Sequence, residues 1–221
     1  MNSKHRLLFC KEGTAKYISH LDLMRTMQRA FLRAELPIRH TEGFNPHAFV
    51  SVALPLPVGH ASRCELMDFE LLDESLLEDV PSRMNPVLPE GLRVLEAYVS
   101  QRPFKELAYL RSRLELFYDR GGAEEAGRAL RELFSRETLP VTKTSKRKGE
   151  IQIDLIPLVR DLEVSADKTV LTVTAIHLAQ NPTVNPELLV SALSENVPDF
   201  VPDFASYLRL EPLDEALSLF R

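Results

Sequence analysis

The chain has 221 residues, of which 44% are hydrophobic and 27% charged, with a formal net charge of -5. That composition is ordinary for a globular protein, and no window approaches the roughly 18 consecutive apolar residues of a membrane helix. Two cysteines, Cys10 and Cys64, make neither a disulfide framework nor a CxxC redox or metal site, and Met1 to Arg6 contains no apolar h-region, so a cytoplasmic location without a membrane partner is expected.

Arg6 to Lys11 reads as a strand that Glu12-Gly13 breaks. A helix starts after Ser19, a good N-cap, with Asp22 placed three residues on for a capping-box-like arrangement. Met24, Met27, Phe31 and Ala34 recur at helical spacing as the expected buried stripe, while Arg25, Arg29 and Arg33 share another face. The helix ends before Pro37. Ile38 to Thr41 leads into the loop Glu42 to His47, and Ala48 to Leu56 is β-rich but broken by Pro55 and Pro57. Gly59 turns the chain. Cys64 to Leu72 alternates as a half-buried strand should, Ser75 to Met84 reads as a short helix, and Leu92 to Ser100 as a strand.

A boundary is expected at Gln101-Arg102-Pro103, giving units 1–102 and 103–221. The second unit runs strand (Leu107 to Tyr118), helix (Glu124 to Arg136), basic loop (Thr142 to Gly149), strands (Ile151 to Ile156 and Thr169 to Leu178), helix (Pro186 to Asn196) and strand (Ser206 to Leu210). The predicted fold class is therefore α+β, with two tandem ferredoxin-like (βαββαβ) units built on antiparallel sheets. Such sheets leave one face free, which suits RNA-binding modules.

Charge is distributed in blocks. Residues 1–60 hold 8 Lys+Arg against 4 Asp+Glu, and residues 101–150 hold 12 against 8, whereas 61–100 and 151–221 are acidic. A basic surface on an acidic chain can still bind phosphate, because the field within a Debye length of roughly 8–10 Å decides the contact. Five of the six histidines also fall in the first 60 residues.

Four constellations are candidates for function. Ser19-His20-Leu21-Asp22 puts a histidine at a helix N-terminus, as a base or ligand, although His20 and Asp22 do not share a helix face. Gly43-Phe44-Asn45-Pro46-His47 is a constrained turn that aims an aromatic ring and an imidazole beside the basic helix, a pair suited to base stacking and phosphate contact; a plain turn with Phe44 in the core weighs about equally. Pro55 to Glu65 holds a turn at Gly59, with Ser62 and Glu65 able to hydrogen-bond the loop. His40, His47 and His60 lack the spacing of a preformed metal site, so no metal is expected unless they converge in space. Lys143 to Gly149 could clamp a phosphate backbone. No GxxxxGK[ST], GxGxxG, GxSxG or HExxH motif is present, and no cofactor is expected.

The run Lys11-Glu12-Gly13, Ile18 to Leu23, Arg25, Arg29-Ala30, Arg33 to Pro37, Gly43 to His47, Ala53 to Gly59, Ser62, Glu65 and Asp68 resembles a bacterial family of unknown function, the radical-SAM-linked proteins. Their domain is often fused to, or encoded beside, B12-binding radical SAM proteins. The resemblance continues more weakly through Lys148, Asp154, Leu155 to Leu162 and Asn185 to Leu189, and departs at Ala48-Phe49. It implies a radical SAM enzyme as partner and supplies no catalytic residues. The architecture also looks like the repeat-processing endoribonucleases of CRISPR systems, but the glycine-rich loop late in their second unit is missing here.

Tyr17 to Asp68 is thus the expected functional face. The expected role is an RNA-binding, substrate-delivery module for a radical SAM enzyme. Its binding residues would be Ser19, His20, Asp22, Arg25, Arg29, Gly43, Phe44, Asn45, His47, Glu65, Lys146 and Lys148. The alternatives are a metal-independent endoribonuclease with His20 as the catalytic candidate, and a purely protein-interaction subunit.

Overall fold

A computed structural model describes residues 4–145 and 149–221. Among them are ten β-strands and four α-helices in a mixed α+β arrangement whose strand pairings are mostly antiparallel. The chain divides into two compact units; the first runs to Glu106 and includes Leu219–Arg221, and the second is Leu107–Ser218.

In the first unit the elements are β1 (His5–Lys11), α1 (His20–Arg33), β2 (Val50–Val52), β3 (Ala61–Phe69), α2 (Val80–Met84) and β4 (Leu92–Val99). β1 lies between β4 and β3, and β2 pairs with β3. Leu7 and Phe9 of β1 and Met67 and Phe69 of β3 point to one face, because period-2 alternation sends them there together. Leu23, Met27, Ala30, Phe31 and Ala34 of α1 close over them. The inner stripe thus begins at Leu23, and Met24, expected within it, lies at its edge half-buried. Arg25, Arg29 and Arg33 are exposed, as their spacing predicts.

The opposite side of β1 carries Arg6, which is fully buried. Its guanidinium meets Asp68 at 2.6 and 3.2 Å and donates to the Arg102 carbonyl at 2.8 Å. Phe104 and Phe220 stack on it at 4.2 and 5.2 Å, so the charge is enclosed by one carboxylate and two rings.

In the second unit the elements are β5 (Tyr109–Phe117), α3 (Ala123–Phe134), β6 (Pro140–Ser145), β7 (Gly149–Asp154), β8 (Val159–Ala166), β9 (Val170–Leu178), α4 (Glu187–Asn196) and β10 (Phe204–Leu213). The sheet order is β10-β5-β9-β8, with β6-β7 as a separate hairpin. Two expectations are corrected here. The basic loop predicted over Thr142 to Gly149 is strand from Thr142 to Ser145 and again at Gly149, its residues 146–148 lying outside the described ones, and the strand predicted over Ile151 to Ile156 belongs to that hairpin, not to the sheet. The strand beside β9 is instead β8, whose alternation holds only from Leu162 to Ala166. Asp161 takes a left-handed backbone (φ 47°), and the register slips between Arg160 and Glu163.

β5 and β9 place a polar pair among the apolar residues of this unit. Ser112 Oγ lies 2.9 Å from His177 Nε2, both buried. Burial holds the imidazole down to about 4, and the Arg209 charge pushes in the same direction. An imidazole with a folded pKa below that of the unfolded chain is neutral in both states well above pH 6.5. As the pH falls below that value, the unfolded chain takes up the proton first and stability drops. Moving from pH 7 to pH 5 is expected to destabilise the protein by about 2 kcal/mol through this one group. Urea denaturation at the two pH values checks it: His177→Gln should flatten that dependence, and an unchanged slope in the variant would assign it elsewhere.

Candidate functional site

The site is built from the two ends of α1 and the segment that follows it. Ser19 has an extended backbone, and its Oγ accepts from the Asp22 N–H at 3.1 Å while donating to Asp22 Oδ2 at 2.7 Å. This exchange satisfies one of the helix's free N–H groups and fixes its start. Lys11, buried at the end of β1, donates from Nζ to the carbonyls of Lys16 and Ile18 at 3.2 and 3.3 Å, so the turn leading into the cap is held from below. His20 is the exposed first residue of α1. Asp22 is engaged with Ser19 and lies 3.6 Å from Arg25, so it does not orient His20.

At its other end α1 stops sharply. Glu35 adopts a left-handed backbone (φ 54°), its N–H bonds the Leu32 carbonyl at 3.2 Å, and the Leu36 N–H reaches back to the Phe31 carbonyl at 3.1 Å. This is the helix-terminating turn usually given to glycine. A residue with a Cβ pays about 1 kcal/mol or more to adopt it. The reversal buries Leu36 and Ile38 and sends the chain back along the helix. Residues 37–39 are then pinned to the segment after β3: Leu72 N–H bonds the Pro37 carbonyl and Arg39 N–H the Glu70 carbonyl, each at 2.8 Å.

Between this segment and α1 lies a cleft of about 680 Å³. Phe31, Leu36, Ile38 and Ala48 are its apolar floor, and Arg25, Arg29, His40, His47, Gln28 and Glu35 stand around it. Gln28 Nε2 donates to the Ala48 carbonyl at 3.1 Å, tying helix to loop. His40 Nδ1 lies 3.0 Å from the Ile38 carbonyl; a carbonyl only accepts, so this nitrogen carries a proton. Arg29 makes no ion pair among the described residues, and its charge is not neutralised locally.

The loop beyond is closed by Thr41 and His47. Thr41 N–H bonds the His47 carbonyl at 2.8 Å, the His47 N–H bonds Thr41 Oγ1 at 3.2 Å, and His47 Nδ1 lies 3.1 Å from the same hydroxyl. Asn45 offers its carbonyl to His47 Nδ1 at 3.3 Å. Gly43 has φ 126°, a backbone that side-chain-bearing residues rarely adopt. At the tip, Phe44 is 113% exposed, so its ring takes no part in the core.

Of the residues predicted from sequence, the structure brings together Arg25, Arg29 and His47 at one cleft, with Gly43, Phe44 and Asn45 on the adjoining loop. Ser19, His20 and Asp22 lie at the far end of α1; nine residues separate His20 from Arg29, about 13 Å of helix. Glu65 is 1% exposed, opposite Phe9 in the β1–β3 register, and so is enclosed within the unit. Lys146 and Lys148 lie outside the described residues. His60 is buried, apart from the exposed His40 and His47, and among the described residues no three His, Cys, Asp or Glu side chains gather as metal ligands. Gln28 and Glu35 were not predicted. The sequence signals for Glu35 are its place two residues before the Pro that follows the helix and within the Arg33 to Pro37 run of the resemblance.

The sequence profile of a family described as an uncharacterized protein conserved in bacteria (DUF2344) matches residues 4–186, and the chain belongs to that family. No curated protein matches it.

The left-handed turn makes a stability prediction. Glu35→Gly relieves strain of about 1 kcal/mol and adds unfolded-chain entropy of similar size, so the midpoint of thermal unfolding should hold or rise. Glu35→Val puts a β-branched residue at the same φ and should lower stability by about 1–2 kcal/mol. A Gly variant less stable than the Val variant would show that the turn is not strained.

Proposed function

We propose that this DUF2344 chain is a binding module for single-stranded or looped RNA, which it delivers to a radical SAM enzyme. The observation that carries the RNA reading is Phe44. A fully exposed ring on a loop braced by Thr41 and His47 is a stacking platform with no structural task, and it adjoins a cleft edged by Arg25 and Arg29. Unstacked bases on aromatic rings, with phosphates on nearby cations, are how single strands are held.

Each unit supports the ferredoxin-like proposal by its strand order. In the first, β4-β1-β3 with β2 on β3 follows from the sequence βαββαβ, and in the second β10-β5-β9-β8 follows from the same order once the β6-β7 hairpin is set aside as an insertion. The division at Glu106 and Leu107 supports two such domains. The radical SAM partnership is supported by the motif resemblance over Lys11 to Asp68. The ribonuclease alternative gains nothing from the arrangement, since Asp22 is engaged with Ser19 and turned toward Arg25 rather than paired with His20.

Fluorescence anisotropy with a labelled single-stranded RNA, repeated across a salt series, tests the RNA reading. Affinity should fall as salt rises, and Arg25→Ala and Arg29→Ala should each reduce the slope of log K against log salt by about 1. Phe44→Ala should weaken binding about 5- to 100-fold with the slope unchanged, as expected for lost stacking. No binding at low salt, or binding indifferent to Phe44, would overturn it.

A further inference from the structure

The cleft contains a residue that a simple cationic groove would not need. Glu35 stands among Arg25, Arg29, His40 and His47 with its carboxylate making no hydrogen bond or ion pair among the described residues. It does so from a left-handed position where glycine would be easier. Strain kept at the edge of a cavity points from structure toward function.

The other polar atoms agree with it in kind. Gln28 directs one amide N–H to the Ala48 carbonyl, which leaves Oε1 as an acceptor beside its second N–H. His40 directs its Nδ1 proton to the Ile38 carbonyl, and in the tautomer protonated at Nδ1 alone Nε2 is an acceptor. The Glu35 carboxylate, Gln28 Oε1 and His40 Nε2 thus offer acceptors in a pocket with an apolar floor that Arg25 and Arg29 also line. The matching ligand is flat and apolar on its faces, rich in donors along one edge, and attached to an anion.

Among the RNA bases one edge fits a carboxylate with two bonds. Guanine presents N1–H and the 2-amino group side by side. Adenine and cytosine set a single amino group beside a lone pair, and uracil sets its N3–H between two carbonyls. We infer that the cleft holds one unpaired guanine of an RNA strand, with Glu35 accepting from N1–H and the 2-amino group while Arg25 and Arg29 take the adjoining phosphates. The cavity, at about 680 Å³, is of nucleotide-binding size. Phe44 then stacks the neighbouring base. This deepens the RNA-binding reading and rests on it.

The test uses the full chain and uracil heptamers whose central base is guanine, inosine, adenine, cytosine or uracil, in equilibrium binding at fixed salt, with guanosine monophosphate as a separate ligand. The guanine heptamer should bind about 10-fold more tightly than the adenine, cytosine and uracil heptamers, as for a bidentate contact, with inosine between because it lacks the 2-amino group. Glu35→Gly, whose backbone suits the turn, and Glu35→Gln should both lose most of that preference while retaining salt-dependent binding. Equal affinity for all heptamers, or a preference that survives in Glu35→Gly, would overturn the guanine assignment and leave RNA binding standing. Failure of every heptamer to bind would overturn both. Guanosine monophosphate binding as tightly as the guanine heptamer would overturn the assignment to a strand.

Discussion

The cleft beside α1 depends on how that helix ends. A helix must satisfy its last carbonyls, and here the Leu36 and Glu35 N–H groups do so by folding back on Phe31 and Leu32 through a left-handed residue. The turn reverses the chain within two residues. Leu36 and Ile38 can then join the core, and the Pro37 and Arg39 backbones can bond the segment after β3. Without that reversal residues 37–48 would not run beside α1, and no cleft would separate them. The same turn places a carboxylate at the edge of that cleft. One backbone conformation thus determines both the shape of the cleft and the place of the Glu35 carboxylate at its edge.

A positive edge on a net acidic chain follows from how the charges are spent. Arg6 is consumed by Asp68, Arg39 by Glu70 and Arg63 by Glu12. The first two pairs draw acidic residues of the 61–100 block into contact with basic residues of the first 60, and the third joins the blocks with the signs reversed. Arg29 has no ion pair among the described residues, and Arg25 is only loosely held to Asp22 on the helix surface. Exposed ion pairs of that kind contribute about 0–1 kcal/mol, so Arg25 can exchange its partner for a phosphate at little cost. Fixed geometry supplies the rest: the capped helix holds the arginine rows, and the Thr41–His47 bridge holds the loop that carries Phe44.

What the sequence reveals of this arrangement is the part governed by local chemistry. Ser19 with Asp22 three residues on marks the start of α1, and the Arg25, Arg29, Arg33 spacing gives its outer face. Gly43 to His47 reads as a constrained turn, but turn chemistry does not say whether Phe44 points in or out; that is decided by tertiary packing, and the ring is outside. β8 escapes because the left-handed Asp161 shifts the alternation midway. β6 escapes because Thr142, Lys143 and Thr144 are polar on both faces of a two-stranded hairpin, which leaves no period to read. Glu65, polar and beside a turn, looks like a surface residue; the β1–β3 register encloses it instead. Gln28 carries no motif, and Glu35, though within the Arg33 to Pro37 run, gives no sign of a cleft position, since the cleft exists only once residues 37–48 run beside the helix.

The central claim is that RNA occupies the cleft between α1 and residues 37–48, and ultraviolet crosslinking with peptide mapping tests it most directly. A single-stranded RNA irradiated with the full chain should attach within the loop containing Phe44 and within the C-terminal half of α1. Attachment confined to the second unit, or none under conditions where the RNA is bound, would contradict the account.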